Sequence, residues 1–164
     1  MITIVYRRRL KIPEKDLNSQ HVIFSLGEQK YSIDVMDSRE IITTKDLTFI
    51  PEAPFFVEGV INLREQIIPI INLDKKLNLN INIDNNKVII ISVNNELVGL
   101  MVEEVIGING LDQEDINDAP EITKEIDANY ISGIAKLNDE LIIIIKSSSI
   151  LKNKELKKIK NINI

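Results

Sequence analysis

Apolar positions along this chain recur with a period of two, or in short unbroken runs bounded by turn residues. That is the pattern of β-strands rather than of helices. Residues 21–26 and 31–35 flank Gly27, Glu28, Gln29 and Lys30 and read as a hairpin. Strands over 40–43 and 47–50 follow, and Pro51 and Pro54 then force a short turn or a single helical turn that ends near Glu58. Residues 59–63 and 66–73 form the next strand pair across Arg64 and Glu65, and 74–77 has room for one helical turn. Beyond the polar stretch 80–86, strands over 87–93 and 96–102 flank Asn94 and Asn95, a pair that tolerates the positive φ of a tight turn. A short strand over 104–108 precedes an irregular polar region, 109–129, with Pro120 inside it. A third hairpin spans 130–145 around Asn138 and Asp139, and Ser147 is placed to cap a final helix over about 148–159 whose apolar face is Leu151, Leu156 and Ile159.

The two halves of this pattern repeat one another. Residues 56–63 (FVEGVINL) match 130–137 (YISGIAKL) at an offset of 74, through the turns and into 67–71 and 141–145. Tyr31, Ile33, Val35 and Ile41 match Val98, Leu100, Val102 and Ile108 at an offset of 67. Each half is therefore about five short strands with Gly and Pro at the corners, which suits a small closed barrel without exposed edges.

Composition narrows the chemistry. The 164 residues include no Cys, no Trp and one His, which removes disulfides, thiolate nucleophiles, Cys-ligated zinc and His-pair metal sites. About one residue in five is Ile, a β-branched side chain suited to pleated, half-buried surfaces. The net charge of −5 is unevenly spread: residues 1–16 carry +3, residues 151–164 carry +4, and the body between them carries −12. An acidic body with 4% aromatic residues offers little to a phosphate backbone or to stacked bases, so nucleic-acid binding is not expected. The longest pure apolar runs, 88–91 and 141–145, fall far short of the ~18 residues of a membrane span. The apolar start of the chain precedes its arginines, the reverse of a secretory signal, so a cytoplasmic location is expected.

No catalytic constellation emerges. His21 opens a strand with no Ser or Cys partner placed by spacing, and it reads as a surface or strand-edge residue. Asp74, the pair Glu103 and Glu104, and the pair Glu114 and Asp115 set up no general acid and base. The six glycines form no phosphate loop. The acidic run 112–118 lacks the central Gly and final Glu of a calcium loop and reads as a solvated connection. Neither a metal nor a cofactor is expected, and a binding module fits better than an enzyme. The segment 39–77 is the most informative, because it places two prolines, a glycine and the arginine Arg64 on turns between apolar strands.

That segment resembles the CheW-like family of chemotaxis scaffolds. The likeness covers roughly residues 21–151 and is carried by Glu40 and Ile41, by IPEAPFFVEGVINLR at 50–64 and by IIPIINL at 67–73. In the second half VGLMVEEVIGI at 98–108 and YISGIAKLNDELIIII at 130–145 carry it. The resemblance implies an all-β fold of two packed SH3-like five-stranded barrels with a short C-terminal helix. It also implies a non-enzymatic adaptor between the cytoplasmic tips of chemoreceptors and the regulatory domain of the histidine kinase CheA, held at the receptor array through these partners. By motif position, Val35, Ile41 and Val105 line a receptor groove between the barrels, with Ser38 and Glu40 beside it. Val35, Ile41 and Val105 equally fit a barrel core. Arg64 matches the family's arginine and makes charged contacts from a loop shaped by Gly59 and Asn62.

Two positions depart from the family pattern. Glu65 stands where the family usually has Gly, so the turn is expected to open if φ there must be positive, with Glu65 partly neutralising Arg64. Ser38 stands where a branched apolar residue is usual, which would thin the groove by one contact. The expected organisation is an N-terminal extension over 1–16, a CheW-like domain over 17–151 and a basic helical tail over 152–164. Within the domain, subdomains over about 17–82 and 83–151 are expected, with exchange of strands between them left open. Other readings are an adaptor of a second receptor system such as twitching motility, or a CheW-like domain excised from a larger signalling protein.

Overall fold

The computed structural model describes residues 20–43, 46–83, 87–117 and 128–160. Eleven strands carry the fold: β1 (Gln20–Leu26), β2 (Gln29–Asp34), β3 (Ser38–Thr43), β4 (Val57–Leu63), β5 (Gln66–Asn72), β6 (Lys87–Val93), β7 (Glu96–Val102), β8 (Glu104–Gly110), β9 (Ile116–Asn117), β10 (Ile131–Leu137) and β11 (Glu140–Ile145). Two short helices, α1 (Leu73–Lys76) and α2 (Asn153–Lys160), complete it. The first sheet runs β8-β1-β2-β11-β10-β9 and the second β3-β6-β7-β5-β4. This is an all-β fold of two five-stranded SH3-like subdomains, with β9 an added two-residue edge on the first.

The two sheets are the same assembly built twice. Offsetting 31–41 by 67 and 56–71 by 74 maps β3-β6-β7-β5-β4 onto β8-β1-β2-β11-β10. Each sheet joins the first two strands of one repeat to the last three of the other, so the strands are exchanged and the sheets do not divide the chain near residue 82. The parallel contact Ile70↔Gly99 of β5 and β7 corresponds to Ile144↔Ser32 of β11 and β2. The bonds Asn72 N–H to Phe56 O and Lys146 N–H to Tyr130 O, both 2.8 Å, also correspond.

Three apolar cores follow from this plan. One lies in the second sheet (Ile42, Ile61, Leu63, Ile68, Val88, Ile90) and one in the first (Ile23, Leu111, Ala135, Ile142, Ile144). The largest is shared by both sheets and α2: Phe24, Ile33, Ile89, Ile91, Ile143, Ile145, Leu156 and Ile159 all enter it. Along β6, Val88 and Ile90 face one core while Ile89 and Ile91 face the other, which is why the strand is apolar without a break from 88 to 91.

Several elements differ from the sequence reading. Residues 47–50 do not form a strand but a single bridge, Thr48↔Val60. Strand β8 extends to Gly110, and the region after it holds a 3-10 turn (Gln113–Asp115) and β9. Residues 118–127, with Pro120, lie outside the described residues, as does the extension over 1–16. Ser147 does not cap the last helix. It opens a separate 3-10 turn (Ser147–Ser149), and α2 begins later, with the Glu155 carboxylate accepting from Lys152 N–H at 2.9 Å.

Candidate functional site

The β4–β5 hairpin ends in a two-residue turn, since Leu63 pairs directly with Gln66. Arg64 and Glu65 occupy it at φ 50° and 68°, the left-handed pair of a type I′ turn. The turn therefore does not open to accommodate Glu65. Asn138 and Asp139 adopt the same pair of angles, 49° and 65°, in the matching hairpin, with side chains that tolerate them far better.

Arg64 is not neutralised by Glu65 but held by Glu40 of β3. Its Nη1 donates to Glu40 Oε1 at 2.7 Å and its Nη2 to Oε2 at 2.9 Å, a parallel two-bond fork. The bonds and charge of Glu40 raise the guanidinium pKa further above its ordinary value. The Glu40 side chain is 4% exposed and that of Arg64 56%, so one partner is sunk in the fold while the other presents itself to solvent. Glu40 shares its strand face with Ile42 of the second sheet's core, and Leu63 of the same core precedes Arg64. The pair thus caps one barrel end. The sequence reading put Glu40 beside the groove and Arg64 in a separate loop; the fold brings these two sets together at Glu40.

The other predicted residues divide into frame and surface. Gly59 is buried in β4, and a Cβ there would lie 2.6 Å from the Thr48 carbonyl oxygen. It is glycine because residues 46–50 cross it closely enough for Thr48 and Val60 to exchange two 2.9 Å backbone bonds. Asn62 is exposed on β4 beside the turn. Val35 and Ile41 are buried in the shared core, and Val105 is half-buried against it. Ser38 is buried, and its hydroxyl donates to Val35 O at 2.8 Å, which leaves it no unpaired polar atom. Sequence reasoning missed the exposed apolar side chains near these residues, Met36 at 51%, Phe49 at 73% and Phe55 at 69%. The adjacent phenylalanines Phe55 and Phe56, one exposed and one buried, carried the signal in the sequence.

His21 and Asp74 are engaged within the fold. His21 is buried rather than on the surface, 3.4 Å from Ser32 Oγ, and burial lowers its pKa, with Asp34 opposing. Asp74 is buried and accepts backbone N–H groups from Ile81 at 2.9 Å and Asn82 at 2.7 Å, which folds the following loop. No three His, Cys, Asp or Glu side chains among the described residues cluster as metal ligands. None of the described helices is long and apolar enough to cross a membrane.

The CheW-like domain family matches residues 20–155. The chain belongs to the CheW-like family. It is 32% identical over 164 residues to the chemotaxis protein CheW of Treponema pallidum (strain Nichols), covering 96% of both chains. It is 30% identical over 154 residues to the chemotaxis protein CheW of Klebsiella aerogenes, covering 93% of each. The crystal structure of the scaffolding protein TtCheW from Thermoanaerobacter tengcongensis superposes with a TM-score of 0.77 at 33% identity, over 92% of this chain and 96% of that one. The Arg64–Glu40 pair and residues Val35, Ile41 and Val105 all lie within the span that the family model matches.

Proposed function

We propose that this chain is a chemotaxis adaptor that couples the cytoplasmic tips of chemoreceptors to the histidine kinase CheA and supports their array in the cytoplasm. The observation that carries the reading is the exposed Arg64 guanidinium, aimed by a buried carboxylate at a barrel end, in a chain that belongs to a family of scaffolds. A charge fixed in direction loses little freedom when a partner carboxylate meets it, so it confers orientation as well as attraction. The kinase's regulatory domain meets this end through Arg64, with the exposed Asn62 beside it on β4. The receptor tip, a helix with an apolar face, lies on the seam whose floor is Val35 and Ile41 and whose rim is Val105 and Met36. Ser38, with its hydroxyl satisfied internally, gives that helix a neutral contact. Such a protein alters no covalent bond; it raises the effective concentration of two partners and fixes their geometry.

The test measures affinity for the kinase regulatory domain with Arg64→Asp, with Glu40→Arg, and with both exchanged. Each single change is expected to weaken binding at least tenfold. The exchanged pair refolds the ion pair yet stays weak, because the outward charge is now negative. Full recovery by the exchanged pair would reduce Arg64 to a structural role.

A further inference from the structure

A polar cleft of about 650 Å³ opens between the β6–β7 turn and the segment that leads into α2. Asn94, Tyr130, Lys146, Ser148, Ser149 and Lys152 line it. Lys146 and Lys152 are exposed, and neither is in an ion pair with a carboxylate among the described residues. The nearby acid is already engaged: Glu155 accepts from Lys76 Nζ at 2.7 Å and from Lys152 N–H at 2.9 Å. Lys76 itself is buried behind the cleft, its Nζ 5.5 Å from the Tyr130 ring centre. With Glu155 turned inward, the exposed face of α2 carries Lys154, Lys157 and Lys158. The result is a cationic cleft on a protein whose body carries −12.

We propose that this cleft docks an acidic segment of a partner protein. Its hydroxyls, amides and two separated ammonium groups suit successive carboxylates along an extended chain, and its volume is far beyond the ~30 Å³ share of one water. Exposed lysines attract such a segment from a distance and hold it at contact. A membrane is the poorer occupant, because Leu156 and Ile159, the apolar face of α2 among the described residues, are spent in the shared core. The cleft adds a third surface to the adaptor and does not depend on Arg64.

The test titrates a ten-residue polyglutamate peptide into the full chain and follows backbone amide resonances of residues 94, 130, 146, 148 and 152. Saturable shifts are expected, weakened at least tenfold by K146E/K152E and less than threefold by K157E/K158E, an equal change of charge outside the cleft. The side chains replaced are exposed, and an unchanged melting temperature verifies the fold. Equal losses in the two variants, or no saturable shift, would overturn the proposal. So would equal saturation by inorganic phosphate, or binding of vesicles with anionic headgroups that requires Lys146 and Lys152 while the peptide fails. Peptide binding is expected to survive Arg64→Asp, so failure of the kinase interaction and failure of the cleft read out separately.

Discussion

Arg64 and Glu65 show how much strain one functional turn tolerates. Both are left-handed without being Gly, Asn or Asp, and an L-residue there costs about 1–2 kcal/mol. Glu65→Gly keeps Arg64 and its fork to Glu40 and relieves that cost at one position. It is expected to stabilise the protein by about 1 kcal/mol, read in thermal melts as a rise of about 2–4 °C. Arg64→Ala leaves a buried carboxylate without its two donors, and a lower unfolding midpoint is expected in denaturant. The turn's position was legible in the sequence, because alternation on either side leaves only two residues between the strands. The partner of Arg64 was not. Glu40 lies 24 residues away, and no local pattern says which carboxylate a hairpin tip will meet.

Among the elements, the short segments that brace the sheets were the hardest to read. The hairpins were plain from periodicity, since burial on one or both faces fixes where apolar residues fall. The shared glycines of the repeat were visible too, but their cause was not: each lets a short stretch cross its strand. Gly59 faces Thr48, and at Gly133 a Cβ would lie 2.9 Å from the Ile116 side chain and 3.0 Å from the Asn117 carbonyl oxygen. The clash at Gly59 is with backbone and at Gly133 partly with a side chain that can yield. Gly59→Ala is therefore expected to cost more than Gly133→Ala, each within about 1–3 kcal/mol, in paired unfolding curves. Helix α2 was placed too early because Ser147 resembles a cap, whereas the cap is Glu155 and the anchor is Lys76. Burial opposes ionisation of Glu155, but the bonds from Lys76 and Lys152 N–H outweigh it and hold the carboxyl below its ordinary pKa. A lowered folded-state value means the stabilisation is whole above the unfolded pKa of about 4.3 and fades as pH falls through the folded one. The hydrogen-exchange protection factors of 153–160, taken relative to the intrinsic rate at each pH, are expected to fall at that acid pH, and Glu155→Gln to show the lower protection already at pH 7.

At the scale of the whole molecule, two copies of one five-strand plan share their strands, so neither sheet is the product of one repeat alone. The repeat itself was readable from Gly, Leu and turn positions; the exchange was not, because β1 pairs as well with β8 as any apolar strand might with another. The shared core ties the two subdomains into one body, and that rigidity suits the proposed adaptor, in which a change at one partner's surface must reach the other. The most direct measurement reconstitutes receptor tip fragment, kinase and this chain, and follows autophosphorylation of the kinase. Stimulation is predicted only when all three are present, with loss of at least tenfold on Arg64→Asp. Full receptor control of the kinase without this chain, or no effect of the chain on either partner, would contradict it.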